Sequence, residues 1–293
     1  MHNLQSIVEE IQIPVGTRQR RAILVRPCLM KTDPTPLVVA YHGGQSHPEA
    51  MRRFSGLDCL AESGGAIVVY PFGTGTREGL LTWNGGNCCG EAFGEDSDDV
   101  TFTKVLVENL INRFGIDRGY IFATGMSNGA MMAYRVGAEL ADMFSAIAPV
   151  SGPLALLDIA PSREISVVHF HGSLDQFTPL DGGIGRRSVT RVSHRGILAG
   201  LLDFVRTNGC PPDPIRETIC ENQDGISIER YSWGPGKLLS SVVFYRIEGG
   251  GHTWPGQKPD SFFLGNTSLS LSANTIMLEF FLQHARHLRK QDV

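Results

Sequence analysis

Cysteine is scarce, with six in 293 residues, at positions 28, 59, 88, 89, 210 and 220. That is too few for a disulfide-dense scaffold at this length, and without a Cys-x-x-Cys pair a zinc knuckle has no ligand frame. No apolar run approaches the eighteen or so residues of a membrane span. Positive charge is not in excess either. Lys and Arg number 26 against 30 Asp and Glu, a formal net charge of −4, which gives no electrostatic reason to expect nucleic acid or an anionic membrane surface as partner. The first ten residues lack the basic start and apolar stretch of a secretory leader. A cytoplasmic location is therefore expected for the chain as numbered, or secretion if a leader has been removed. Repeats, low-complexity tracts and linkers are missing, so a single domain over residues 1–293 is expected. Cys210 and Cys220 flank Pro211-Pro212; they are the best disulfide candidate and are expected to lie close in space.

What is present reads as an ordinary globular chain, 42% hydrophobic and 19% charged. Short runs rich in Val, Ile, Phe and Tyr, bounded by Gly and Pro, predict strands over 21–25, 37–41, 66–70, 120–123, 146–150, 166–170 and 242–247. Several are continuously apolar, as strands buried on both faces of a parallel sheet are. Helices are predicted over 98–114, 128–140, 196–207 and 274–290. Asp98 and Asp99 sit at the start of the first, where free amides favour acids, and Gly115 follows its end. Strands alternating with helices imply an α/β fold with a mostly parallel, doubly wound sheet and helices on both faces. The stretches 74–94, 179–195 and 210–237 read as loops over the strand ends, where open α/β sheets carry their ligand sites.

The sharpest local signal is Gly125-Met126-Ser127-Asn128-Gly129. It follows a predicted strand and opens a predicted helix, the context a nucleophile elbow requires. A serine nucleophile needs a base, and the base an orienting carboxylate; in this arrangement they follow in the order Ser, acid, His. After the strand at 166–170 comes His171-Gly-Ser-Leu-Asp175, and after that at 242–247 comes Glu248-Gly-Gly-Gly-His252-Thr-Trp254. Asp175 is the expected acid, with Asp181 the weaker alternative and Asp203 placed mid-helix. His252, on a triple-glycine loop, is the expected base. An early strand runs into His42-Gly43-Gly44-Gln45-Ser46, whose glycines let a backbone N–H approach a substrate carbonyl. The amides of Gly44 and Asn128 are thus the expected oxyanion hole. Trp83, Phe177 and Trp254 lie beside motif residues and are candidate pocket walls, with core packing the competing reading.

Taken together, HGGQS, the GMSNG elbow after YIFATG, HGSLD and GGGHTWPG resemble the esterase family of polyhydroxybutyrate depolymerases and feruloyl esterases. Trp83-Asn84, Cys88-Cys89-Gly90 and Asp98-Asp99-Val100 add to the resemblance, which runs from about Leu24 to the C-terminal helix. It implies an α/β-hydrolase catalytic domain, no cofactor or metal, and hydrolysis of a small-molecule or oligomeric carboxylic ester through an acyl-enzyme on Ser127. Acyl transfer or peptidase action with the same triad is the alternative within the class, because fold and triad do not fix the substrate. A catalytically silent binding module is the alternative outside it. His169 and His171 could also form a metal pair, since i and i+2 of a strand share a face.

Overall fold

The computed structural model describes residues 6–29, 34–63, 65–223, 225–259 and 261–286. Ten strands form one sheet: β1 (Ser6–Val15), β2 (Arg18–Pro27), β3 (Leu37–Tyr41), β4 (Ile67–Pro71), β5 (Ile121–Met126), β6 (Ala146–Val150), β7 (Ser166–Gly172), β8 (Ile215–Gln223), β9 (Ile226–Trp233) and β10 (Val242–Glu248). Their order is β1-β2-β4-β3-β5-β6-β7-β10-β9-β8. The six central strands, β4 to β10, pair in parallel, and an antiparallel ribbon closes each edge. Every residue of β3, β4, β5, β6 and β7 is buried. Side chains alternate across the sheet, so a strand covered on both faces needs apolar residues, or polar ones with buried partners such as Thr124, His169 and His171, at every position.

Seven α-helices among the described residues supply the cover: α1 (Pro48–Ser55), α2 (Asp58–Glu62), α3 (Gly90–Gly94), α4 (Asp99–Phe114), α5 (Asn128–Glu139), α6 (Ile197–Asn208) and α7 (Ala273–Gln283). The longest, α4, is capped as its sequence predicts. The Asp98 carboxylate accepts from the Thr101 N–H, and Gly115 leaves the helix in the left-handed conformation. Two apolar cores result, one per face. Leu37, Val39 and Tyr41 of β3 point into the first with α4, α5 and α6; Val38 and Ala40 point into the second with α1 and α7. No helix among the described residues is long and apolar enough to cross a membrane.

The structure departs from the sequence reading at the edges. Residues 210–237, expected as a loop, carry β8 and β9, and β1 was not anticipated. The helix expected to run to residue 290 is helical through Gln283, and 287–290 lie outside the described residues. The expected proximity of Cys210 and Cys220, the best disulfide candidate in the sequence, is also corrected. Cys210 packs against the core of one face and Cys220 against that of the other, with the edge of the sheet between them. Both are free thiols; the disulfide joins Cys88 to Cys89.

Candidate active site

Four loops at the C-terminal ends of β3, β5, β7 and β10 converge on one cavity of about 330 Å³. This is the edge where parallel strands leave their ligand sites. Ser127 sits between β5 and α5 at φ 57°, ψ −118°, a conformation that costs a non-glycine residue about 1–3 kcal/mol. Its neighbours explain why the chain tolerates that strain. A Cβ on Gly129 would come within 2.2 Å of the Tyr41 carbonyl oxygen, and one on Gly125 within 2.3 Å of the Gly129 oxygen. Only glycines let β3, β5 and α5 close up, and closing up pushes the serine out of the sheet. Asn128 is the first residue of α5, so its N–H has no intrahelical acceptor.

Gly44 faces that helix start across the cavity: a Cβ there would lie 3.3 Å from Asn128 Cβ. The turn carrying Gly44 is braced from below. His42 is fully buried; its Nδ1–H donates to the Gly43 carbonyl (2.7 Å) and its Nε2 accepts from the Gly73 N–H (3.1 Å). Burial pushes its pKa down to about 4, so the ring is neutral and its tautomer is set by these partners. Trp83 joins the turn to the helix. Its indole N–H donates to the His42 carbonyl (3.0 Å), while its backbone N–H donates to Asn128 Oδ1 and its carbonyl accepts from Asn128 Nδ2. Trp83 is thus a buried brace, absent from the cavity wall. Trp254 is likewise core, donating from its indole to Asn274 Oδ1. Of the three aromatic candidates, Phe177 alone lines the cavity, its ring centroid 4.7 Å from that of His252.

Asp175 follows β7 and His252 follows β10, and the structure brings them together. The Asp175 carboxylate is buried among four donor hydrogens. Oδ1 takes the N–H groups of Phe177 (2.8 Å) and Thr178 (3.0 Å), while Oδ2 takes His252 Nδ1–H (2.7 Å) and shares the single Thr178 hydroxyl proton (3.1 Å) with the Ser151 carbonyl (3.0 Å). Burial alone would raise this carboxyl; the His252 charge and hydrogen bond, with the other donors, outweigh it and hold the group below the ordinary carboxylate range. An ionised Asp175 accepts only, so His252 carries its proton on Nδ1 and turns an unprotonated Nε2 outward. His252 and Ser127 line the same cavity, although no hydrogen bond joins the serine hydroxyl to the imidazole. The loop is seated by backbone contact. A Cβ on Gly172 would lie 2.4 Å from the carbonyl oxygens of both Gly250 and Gly251, and the His252 N–H donates to the Leu264 carbonyl (2.6 Å).

The alternative carboxylates lie elsewhere. Asp181 is exposed and outside the cavity wall, and Asp203 is ion-paired with Arg195 and Arg206. His169 and His171 spend their ring nitrogens on protein partners, and no group of three metal-ligating side chains occurs among the described residues. The sequence reading missed much of the cavity wall: Met51 and Phe54 from α1, the Cys88–Cys89 disulfide, Met131, and Val189 with its neighbours. It also missed Thr178, although an acid followed three residues later by threonine is a recognisable turn pattern.

Known proteins resemble the chain in sequence and in fold. The chain is 28% identical over 275 residues to "Putative esterase NocK" of Nocardia uniformis subsp. tsuyamanensis, covering 84% of this chain and 74% of that one. It is 28% identical over 223 residues to feruloyl esterase B of Piromyces equi, covering 74% of this chain. The chain has the α/β-hydrolase fold and is similar in sequence to proteins named as esterases. Among solved structures, an acetyl xylan esterase from Aspergillus awamori superposes with a TM-score of 0.58 at 18% identity, over 84% of this chain and 94% of that one; the likeness is one of fold. No family model matches the chain. This hydrolase spans only 39% of the length of the feruloyl esterase.

Proposed function

We propose that Ser127, His252 and Asp175 form the catalytic triad of this carboxylic-ester hydrolase, and that it acts on uncharged esters. The observation that carries the assignment is the buried 2.7 Å contact of His252 with Asp175 on the wall of the cavity that Ser127 also lines. His252 Nε2 takes the proton of Ser127 as the oxygen attacks the ester carbonyl, and Asp175 stabilises the imidazolium that forms. The Ser127–His252 hydrogen bond must close as substrate seats, as such bonds often do only in the substrate complex. The oxyanion lies against the N–H groups of Gly44 and Asn128. The alcohol departs with the proton from His252. Water, deprotonated by the same nitrogen, then attacks the acyl-enzyme and releases the acid.

The cavity wall supports the substrate class. No Asp, Glu, Lys or Arg lines it among the described residues, whereas Met51, Phe54, Met126, Met131, Phe177 and Leu264 do. A charged acyl or alcohol group would lose its hydration there without gaining an oppositely charged Asp, Glu, Lys or Arg as partner, the polar lining being neutral side chains such as Gln45, Ser188 and Thr190. An aromatic, acetyl or short hydroxyalkanoate ester meets that requirement, and a free carboxylate near the scissile bond does not.

The test is Ser127→Ala with a serine-directed phosphonate and p-nitrophenyl acetate. We expect activity to fall by about 10⁶ and the phosphonate to label Ser127 alone. Retention of a tenth of wild-type activity in Ser127→Ala sinks the assignment. A p-nitrophenyl ester of succinate should be turned over far more slowly than the butyrate ester of similar size.

A further inference from the structure

Behind the Asp175 carboxylate lies a line of buried groups for which the triad chemistry has no use. Tyr134 on α5 reaches His169 on β7, with its hydroxyl 2.9 Å from Nδ1. His169 Nε2 lies 3.1 Å from His171 Nδ1, and His171 Nε2 lies 2.8 Å from the Thr178 carbonyl oxygen. Both imidazoles are fully buried.

A carbonyl oxygen only accepts, so His171 Nε2 carries a hydrogen. Burial keeps both rings neutral, so His171 Nδ1 is bare. His169 must then donate from Nε2 to that bare nitrogen, leaving its own Nδ1 to accept from the Tyr134 hydroxyl. With neutral rings this is the one arrangement that satisfies all four groups. Burial lowers the pKa of each: it is the main cause for His169, with the neighbouring His171 adding to it. For His171 it outweighs the raising effect of Asp175 and the Thr178 carbonyl.

The same His171 Nε2 lies 3.6 Å from Asp175 Oδ2, the oxygen that accepts from His252. We propose that His171 is a positioning residue for the acid, its Nε2–H pinning the Thr178 carbonyl while its positive end faces Asp175 Oδ2. Thr178 is the residue that binds both carboxylate oxygens, so the line sets the loop that holds the acid. The proposal rests on the triad reading.

The titratable and charged groups that face His171 are few. On β7 and its loop they are His169 and Asp175; from α5 comes Tyr134 and from the β10 loop His252. Arg246, its register partner on β10, is ion-paired with Glu248. Without the His171 N–H, the carboxylate loses a favourable dipole. Its proton affinity rises, and the less compensated charge also holds a proton more firmly on His252. Both effects move the acid limb of the kcat/KM profile to higher pH.

The test compares His171→Met with His171→Gln. The glutamine amide offers an N–H where Nε2 lies and an oxygen for His169; methionine offers neither. For p-nitrophenyl acetate we expect the acid limb of His171→Met to move up by at least about half a pH unit with KM within about twofold, and that of His171→Gln to stay close to wild type. Equal acid limbs in both variants, whether shifted or at the wild-type position, overturn the proposal, since packing alone then accounts for the residue. A second measurement needs no variant. ¹⁵N-histidine NMR of the wild-type protein should show His171 and His169 neutral, each protonated on Nε2, from pH 8 to pH 5; a proton on His171 Nδ1 or an imidazolium overturns the proposal. The NMR result is independent of turnover, so failure of the triad reading, seen as an active Ser127→Ala, is distinguishable from failure here.

Discussion

Replacing Asp175 by asparagine is the most searching perturbation of the site, because the structure leaves the amide two orientations and both are poor. In the first, Oδ1 keeps the N–H groups of Phe177 and Thr178, and the NH₂ group meets His252 Nδ1. That nitrogen must then be bare, and the ring proton moves to Nε2, where it blocks acceptance of the Ser127 proton. In the second, the amide turns round to restore the His252 contact, but its NH₂ group then faces the two backbone donors. Leaving two buried donors unpaired costs about 1–3 kcal/mol each. The first orientation is therefore favoured, and with it the wrong tautomer. An effect of this kind reduces kcat by about 10⁴, or about 5.5 kcal/mol of transition-state stabilisation. KM should stay within about twofold, because the carboxylate is buried and touches no substrate. The assay is p-nitrophenyl acetate hydrolysis beside a thermal melt, with Asp181→Asn as the control expected to behave as wild type. If Asp175→Asn kept a tenth of the wild-type kcat, or if Asp181→Asn were the dead variant, the tautomer argument would be refuted.

Two further outcomes concern folding. His42 is held neutral at about 4 by burial against an ordinary 6.5, so the unfolded chain binds the extra proton first. Stability should fall as pH drops from about 6.5 to about 4, by about 3 kcal/mol from this residue, with buried His169 and His171 acting in the same direction. Asp175, whose folded pKa is depressed, adds its own loss only below about pH 4. Urea midpoints at pH 7.5, 6 and 5 test this, and a flat series contradicts it. At the elbow, Gly129→Ala would place a Cβ 2.2 Å and 2.4 Å from the Tyr41 and His42 carbonyl oxygens, whereas Gly79→Ala meets nothing within 4 Å. The first should lose more than about 4 kcal/mol and the second almost nothing; similar melting temperatures for the two would show that the elbow backbone can give way.

The central strands were legible because burial on both faces demands largely apolar runs, as in Leu37–Tyr41 of β3, Ile121–Ala123 of β5 and Val167-Val168 of β7. The edge strands were not. Segments such as Arg216-Glu-Thr in β8 are exposed and charged at the rim of the sheet, so their composition is that of a loop. The helices α1 to α3 are too short to show a helical period. Ser127, Asp175 and His252 could be placed from glycine spacing and chain order, since each sits where a strand must turn sharply. Proximity in sequence misled at Cys210 and Cys220, because nearness along the chain does not say on which face of a sheet a side chain lies. It misled again at Trp83 and Trp254, whose indole N–H groups are spent on carbonyl partners inside the fold.

Gly172 touches Gly250 and Gly251 backbone to backbone, which divides the protein into a part that cannot drift and a part that can. The contact leaves no room for a side chain at Gly172, so no substitution there can lengthen or shorten the span between strand and loop by small steps. The walls contributed by α1 and by residues 188–190 carry no such restriction. A library aimed at new substrates should therefore randomise those walls and leave the glycines alone. Across a lineage of such enzymes, the range of esters accepted can change many times while the machinery that cleaves them is inherited whole.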